Sequence, residues 1–420
     1  MKKSLPFTIA LALNFQIAGA YQLHEWGTFT TVSGSDGVLL SGLQREEELL
    51  PAFVHSHFGF ENGQNSSMEK LAAVIKTQGY PAFPTQTKGL GRRPVSGVTV
   101  KMETPVIYFH SDKAFRAKVK VGFKGGTISQ WYPDRSGGET PPEPPPSADP
   151  EKNPVPPEQW RIDFAKPYHG SIEWDVNVLS PEESKSALTF KPRDSVNWLR
   201  ARGPDANVVR TDSGETENYL FYRGVGHFTP GLLTTVSPDD TLHLQNQTGG
   251  DIPFYLVFER TQGGAVLWSA NKDGLKTGES AKLPSDKLTL ATGEFPDAIY
   301  HSMKSGLISS GLLESEADAM VQTWWTSYFE TPGLRVFWVL PSAATDKILP
   351  LSVSPLPEKI VRVLVGRSEV LRRSAENDWL ALSKLSGDNA FRWKYTVEND
   401  RFGLAIQERI YTLGKLTAGK

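Results

Sequence analysis

An antiparallel β-sandwich followed by an α+β part, in which a few helices cover a further sheet, is the mainly β fold class this sequence predicts. Three observations carry the prediction. The chain has 30 Pro and 37 Gly beside 11 Trp and 21 Phe, a mixture of turn formers and aromatic strand residues. From Val95 onward, apolar and polar residues alternate over segment after segment. Helical periodicity gathers instead after Pro296. At 420 residues the chain exceeds what one core usually organises, so two domains are expected, a sandwich-like 21–230 and an α+β 231–420.

Lys2 and Lys3 precede an apolar run from Phe7 to Ala18, and Ala18-Gly19-Ala20 supplies a small-x-small cleavage pattern. Residues 1–20 therefore read as a secretory signal peptide, with a mature chain starting at Tyr21 in the periplasm or outside the cell. The run is shorter than the ~20 apolar residues of a spanning helix, and no later run reaches that length. With no Cys, the chain has no disulfide, no lipidated cysteine and no thiolate metal ligand. A formal net charge of −2 gives no electrostatic case for nucleic acid or anionic lipid.

Tyr21 to Thr31 is expected to be a docked strand, Leu23, Glu25, Gly27 and Phe29 alternating with His24, Trp26, Thr28 and Thr30. Ser33 to Gly37 is turn chemistry, and Val38 to Leu43 is a candidate return strand. Ser66-Ser67-Met68-Glu69 resembles a capping box opening a short helix that Gly79 and Pro81 end. Val98 to Phe109 and Val119 to Tyr132 read as strands, the latter as a hairpin turning at Lys124-Gly125-Gly126. The Pro-rich tract 134–157 reads as a long loop inserted between strands. Further strands are expected at 160–164, 171–179, 219–222, 241–245, 252–259 and 265–268, with a short helix capped by Asp194. Beyond Pro296 come helices at 297–307 and 315–329, strands at 334–340, 348–353 and 360–365, then helices around 377–384 and 401–413.

Several stretches together resemble a family of exported bacterial proteins with no assigned activity. They are His24-Glu25-Trp26-Gly27-Thr28-Phe29-Thr30, Lys101 to Phe109, Tyr219 to Gly226, Glu316 to Val321 with Trp324, Gly333 to Pro341, and Val361 to Arg367. The resemblance implies export and a shared fold. It brings no catalytic residue with it, and it implies that relatives can replace the leading His-Glu.

Candidate chemistry is sparse. His55 and His57, two apart on a strand-compatible segment, point the same way and can reach one divalent metal, with His24, His110 or Glu103 completing the set. The plain alternative is a pair of hydrogen-bonded or surface histidines. Asn271-Lys272-Asp273-Gly274 faintly resembles a calcium loop but departs from it at Lys276, which favours a turn. No Gly-x-Ser-x-Gly elbow is present, and Gly224-Val225-Gly226 lacks the setting of a nucleotide loop. Trp26 and Trp174, each beside carboxylates, are candidate sugar-stacking rings, against the ordinary reading of Trp as core. Arg223 and Glu103 are expected to meet as a buried pair or to line one pocket. The function these features suggest is a binding or structural protein, for glycans or cell-envelope components. The alternative is a metal-dependent hydrolase using His55 and His57.

Overall fold

The computed structural model describes residues 20–47, 50–51, 53–57, 88–90, 93–141, 156–188, 200–290 and 295–418. The expected signal peptide up to residue 19, the helix expected at 66–79, the helix expected after Asp194 as far as Leu199, and most of the Pro-rich tract lie outside them.

The strand Tyr21–Ser33 sits in the middle of an 11-stranded sheet. On one side it pairs in parallel with Lys359–Val370, from Gln22 opposite Lys359 to Ser33 opposite Val370. On the other it pairs antiparallel with Val100–Met102 and Val106–Ser111. Outward from Lys359–Val370 run Gly333–Leu340, Tyr255–Arg260 and Val266–Asn271. In the opposite direction come Leu220–Gly226, Gly126–Tyr132 and His55–Ser56. The resemblance stretches thereby become neighbours: five of the six supply adjoining strands at the centre of this sheet, and the sixth, Glu316 to Val321, lies on the helix Glu314–Thr323.

Both faces of this sheet are covered. Leu23, Phe29, Ile107 and Phe109 pack against Val119, Val121, Ile172 and Trp174 of a six-stranded second sheet built around Phe115–Lys124 and His169–Val178. On the opposite face, Trp26, Val106, Tyr108 and Phe337 pack with Ile299, Met303, Met320 and Val321 of the helices Phe295–Ser309 and Glu314–Thr323. Burying such side chains contributes roughly 1.5–3 kcal/mol each. A third cluster, Val32, Leu40, Val98, Phe402, Ile406 and Ile410, seats the C-terminal helices on the end of the sheet.

The mainly β, α+β class therefore holds, and strands from both sides of residue 230 share the large sheet. The parallel pairing of residues 22–33 with 359–370 joins the two halves in one sheet, and a contact over that separation leaves no local trace. The 119–132 hairpin is corrected. Phe115–Lys124 lies in the second sheet and Gly126–Tyr132 in the first, so Gly125, at φ 88°, carries the chain from one layer to the other. Helix 315–329 breaks at Trp324 into Glu314–Thr323 and Trp325–Phe329. The C-terminal helices are Arg373–Ser383, Ala390–Asn399 and Gly403–Ala418, the second of them unforeseen. Residues 38–43 make only a bridge, Leu39 to Ser33.

Candidate functional site

Alternation along Tyr21–Ser33 sends His24 and Glu25 to opposite faces. Glu25 turns toward the second sheet, where it accepts from Tyr222 Oη and Arg362 Nε, both at 2.5 Å. His24 turns toward the helices. In the antiparallel register Gln22 stands opposite His110, so His110 occupies the same face one diagonal step from His24, and the two rings meet edge-on at 4.8 Å.

Glu316 completes the group from above. It lies in the first turn of Glu314–Thr323, where the helix dipole favours an anion, and its Oε2 accepts from Leu313 N at 2.9 Å. The same carboxylate accepts from His24 Nδ1 at 2.9 Å and from His110 Nε2 at 2.9 Å. His24 and Glu316 are buried and His110 is partly exposed. Burial alone would raise the Glu316 pKa, but the hydrogen bonds from His110 and His24 outweigh it and hold the group at about 2. Among the described residues His24 Nε2 has no hydrogen-bond partner, so the Glu316 bond sets the ring orientation.

Beside these residues opens a cavity of about 810 Å³, within the usual range for small-ligand sites. His24, His110, Gln22, Ser111, Asn207 and Asn218 form part of its lining, with Lys185, Arg202, Asp112 and Glu358 supplying charge of both signs. The wall is braced. Asn207 accepts from Ser111 N at 2.7 Å and donates to the carbonyls of Ser111 and Leu179 at 3.0 and 2.8 Å. Arg202 is held by hydrogen bonds to Glu217, from Nε to Oε1 at 3.1 Å and to Oε2 at 3.0 Å, and from Nη2 to Oε2 at 2.8 Å.

The other sequence candidates lie elsewhere. His55 Nε2 bonds Glu215 at 2.9 Å, and the Glu215 hydrogen bond raises its pKa. His57 Nε2 donates to Ile128 O at 2.8 Å, and burial pulls its pKa down to about 4. Neither belongs to the three-ligand cluster formed by His24, His110 and Glu316. Trp26 and Trp174 are core rings, the first beside Tyr108 and the second donating to Pro133 O at 2.9 Å, so neither presents a face for a sugar. Asn271 to Gly274 forms a turn in which Asn271 Oδ1 accepts from Asp273 N at 2.9 Å.

Arg223 and Glu103 are both buried, but they do not pair. Arg223 donates to Glu46 and to Gln130, each at 2.6 Å, while Glu103 takes Lys88 as its close partner and Lys101 at 3.7 Å. Both belong to a buried ionic network. Glu47 binds Lys101 and Arg367, and Glu369 binds Arg335, Arg367 and Arg401. Burial lowers Lys88 to about 8 against the pull of Glu103. Arg223 stands within the strand Leu220–Gly226. A bulge after it brings Gly224 so close to Thr127 O that a Cβ would lie 1.8 Å away.

No protein-family model matches this chain, and no curated protein matches it. Of the cluster, His24 and His110 were visible as metal candidates in the sequence. Glu316 was not, because its only local signature is that of an acid in a helix's first turn.

Proposed function

We propose that this is an exported binding protein whose ligand is a small polar molecule received by the cavity beside His24 and His110. The observation that carries the proposal is the cavity itself: about 810 Å³ in volume, with braced amide, hydroxyl and imidazole groups and charges of both signs converging on it. Export rests on the N-terminal leader pattern. A glycan remains the sequence-based expectation for the ligand. The described lining contains no Trp, so the geometry favours recognition by hydrogen bonds and charge over ring stacking. The alternative hydrolase at His55 and His57 gains no support from their separate partners, Glu215 and Ile128 O.

The test is thermal-shift and calorimetric screening of a panel of monosaccharides, amino acids and dicarboxylates against wild type and Gln22→Trp. Gln22 is exposed and lines the cavity, so an indole there fills space without removing a buried partner. Binding that is lost in Gln22→Trp supports the proposal. Binding unchanged by the plug, or no binding across the panel, counts against it.

A further inference from the structure

His24, His110 and Glu316 come from three elements that are remote in sequence, and each is fixed by its own backbone context. Two lie on adjacent strands in defined register, and the third is pinned by the Leu313 amide at the start of a helix. Their ligand atoms, His24 Nδ1, His110 Nε2 and the Glu316 carboxylate, all lie within 4.8 Å of one another. Two imidazole nitrogens converging on one buried carboxylate, with a cavity on the open side, is the donor set of a three-ligand zinc site that keeps a fourth position free.

We propose that these three residues form a mononuclear site for a divalent transition metal of the zinc class, its fourth position facing the cavity. The inference deepens the cavity reading and rests on it for what occupies that fourth position.

The spacing suits the ion. Tetrahedral zinc with bonds of roughly 2.0–2.1 Å sets its ligand atoms roughly 3.3–3.4 Å apart. The carboxylate stands 2.9 Å from each imidazole nitrogen, so on those two edges a metal in place of the shared protons needs the side chains to part by only a few tenths of an ångström, and the two imidazole nitrogens, within 4.8 Å of each other, complete the triangle. The donor type argues against calcium, which takes six to eight oxygens, and for an ion that accepts imidazole. Glu316 is a buried carboxylate held between the two imidazoles, the kind of anionic oxygen ligand a dication takes. The alternative occupant of the same geometry is a proton: Glu316 then serves only as a hydrogen-bond acceptor that fastens the helix Glu314–Thr323 to the sheet. Ordinary stability measurements do not separate the two, and metal uptake does.

The experiment is calorimetric titration of EDTA-treated protein with zinc chloride, for wild type, His110→Ala and Glu316→Gln. Wild type is expected to take up one equivalent, and both variants to bind at least roughly tenfold more weakly. Should Glu316→Gln fail to fold, His110→Ala carries the comparison, since His110 is partly exposed and its side chain bonds Glu316. No uptake by wild type, or uptake unchanged in His110→Ala, overturns the inference. Repeating the ligand panel with zinc-loaded and EDTA-treated protein separates the two proposals. A compound that binds in the cavity while zinc does not titrate leaves the cavity reading standing and removes the metal. Stoichiometric zinc with no ligand does the reverse.

Discussion

Replacing Arg223 by Met keeps much of its volume and removes its charge. The guanidinium is 1% exposed and donates at 2.6 Å to both Glu46 and Gln130. The substitution strands the Glu46 carboxylate, itself 7% exposed, and leaves Gln130 Oε1 bare. Breaking one side of a buried ion pair costs ~3–5 kcal/mol, and the orphaned amide oxygen pushes the loss toward the upper end. Urea unfolding of Arg223→Met, Glu46→Gln and the double mutant should give a coupling of about 1–3 kcal/mol. A parallel cycle with Glu103→Gln should give less, because Lys88 and Lys101 are the near partners of Glu103 and Arg223 acts on it only at longer range. A loss under ~1 kcal/mol for Arg223→Met would mean that the arginine is not buried with its partner. Coupling to Glu103 equal to or above that to Glu46 would refute the assigned pairing.

Further outcomes follow from the same geometry. Gly27→Ala places a Cβ 2.7 Å from Pro105 Cα, a backbone atom that cannot give way, so a loss of ~1–3 kcal/mol is expected by urea unfolding. Glu316 is held at about 2 when folded, against 4.5 as its ordinary value. Its contribution is therefore complete above pH 4.5 and lost as the pH falls toward 2; it amounts to about 3 kcal/mol, and an acid-unfolding curve of Glu316→Gln should lack it. His57, held neutral down to about 4 against an ordinary 6.5, stabilises above pH 6.5 and loses that contribution as the pH falls to 4. His57→Gln should flatten the urea midpoint across that window.

The elements legible in the sequence were those written in local pattern. The alternation of Leu23 and Phe29 against His24 and Trp26 located the first strand, and the unbroken apolar run of Val106 to Phe109 announced a doubly covered one. What stayed hidden was tertiary. Lys124-Gly125-Gly126 supplies a turn, but the same turn serves a hairpin or a crossing between sheets, and only the partners of the flanking strands decide. The Gly27 of one resemblance stretch packs on the Pro105 of another, and Gly366 of a third lies under Trp338 of a fourth. Their small residues are thus explained by close approach at the sheet centre, which no single stretch reveals. The site followed the same division: two histidines with metal-ligand chemistry could be named from residue type. The carboxylate that joins them comes from a helix 292 residues beyond His24, placed there by packing.

A crystal structure of zinc-loaded protein, with anomalous difference maps collected on both sides of the zinc edge, tests the three-ligand site directly. One peak is expected roughly 2.0–2.1 Å from His24 Nδ1, His110 Nε2 and a Glu316 oxygen, open on its fourth side to the cavity. A peak at His55 and His57, or the direct hydrogen bonds from both imidazoles to Glu316 persisting in excess zinc, would contradict it.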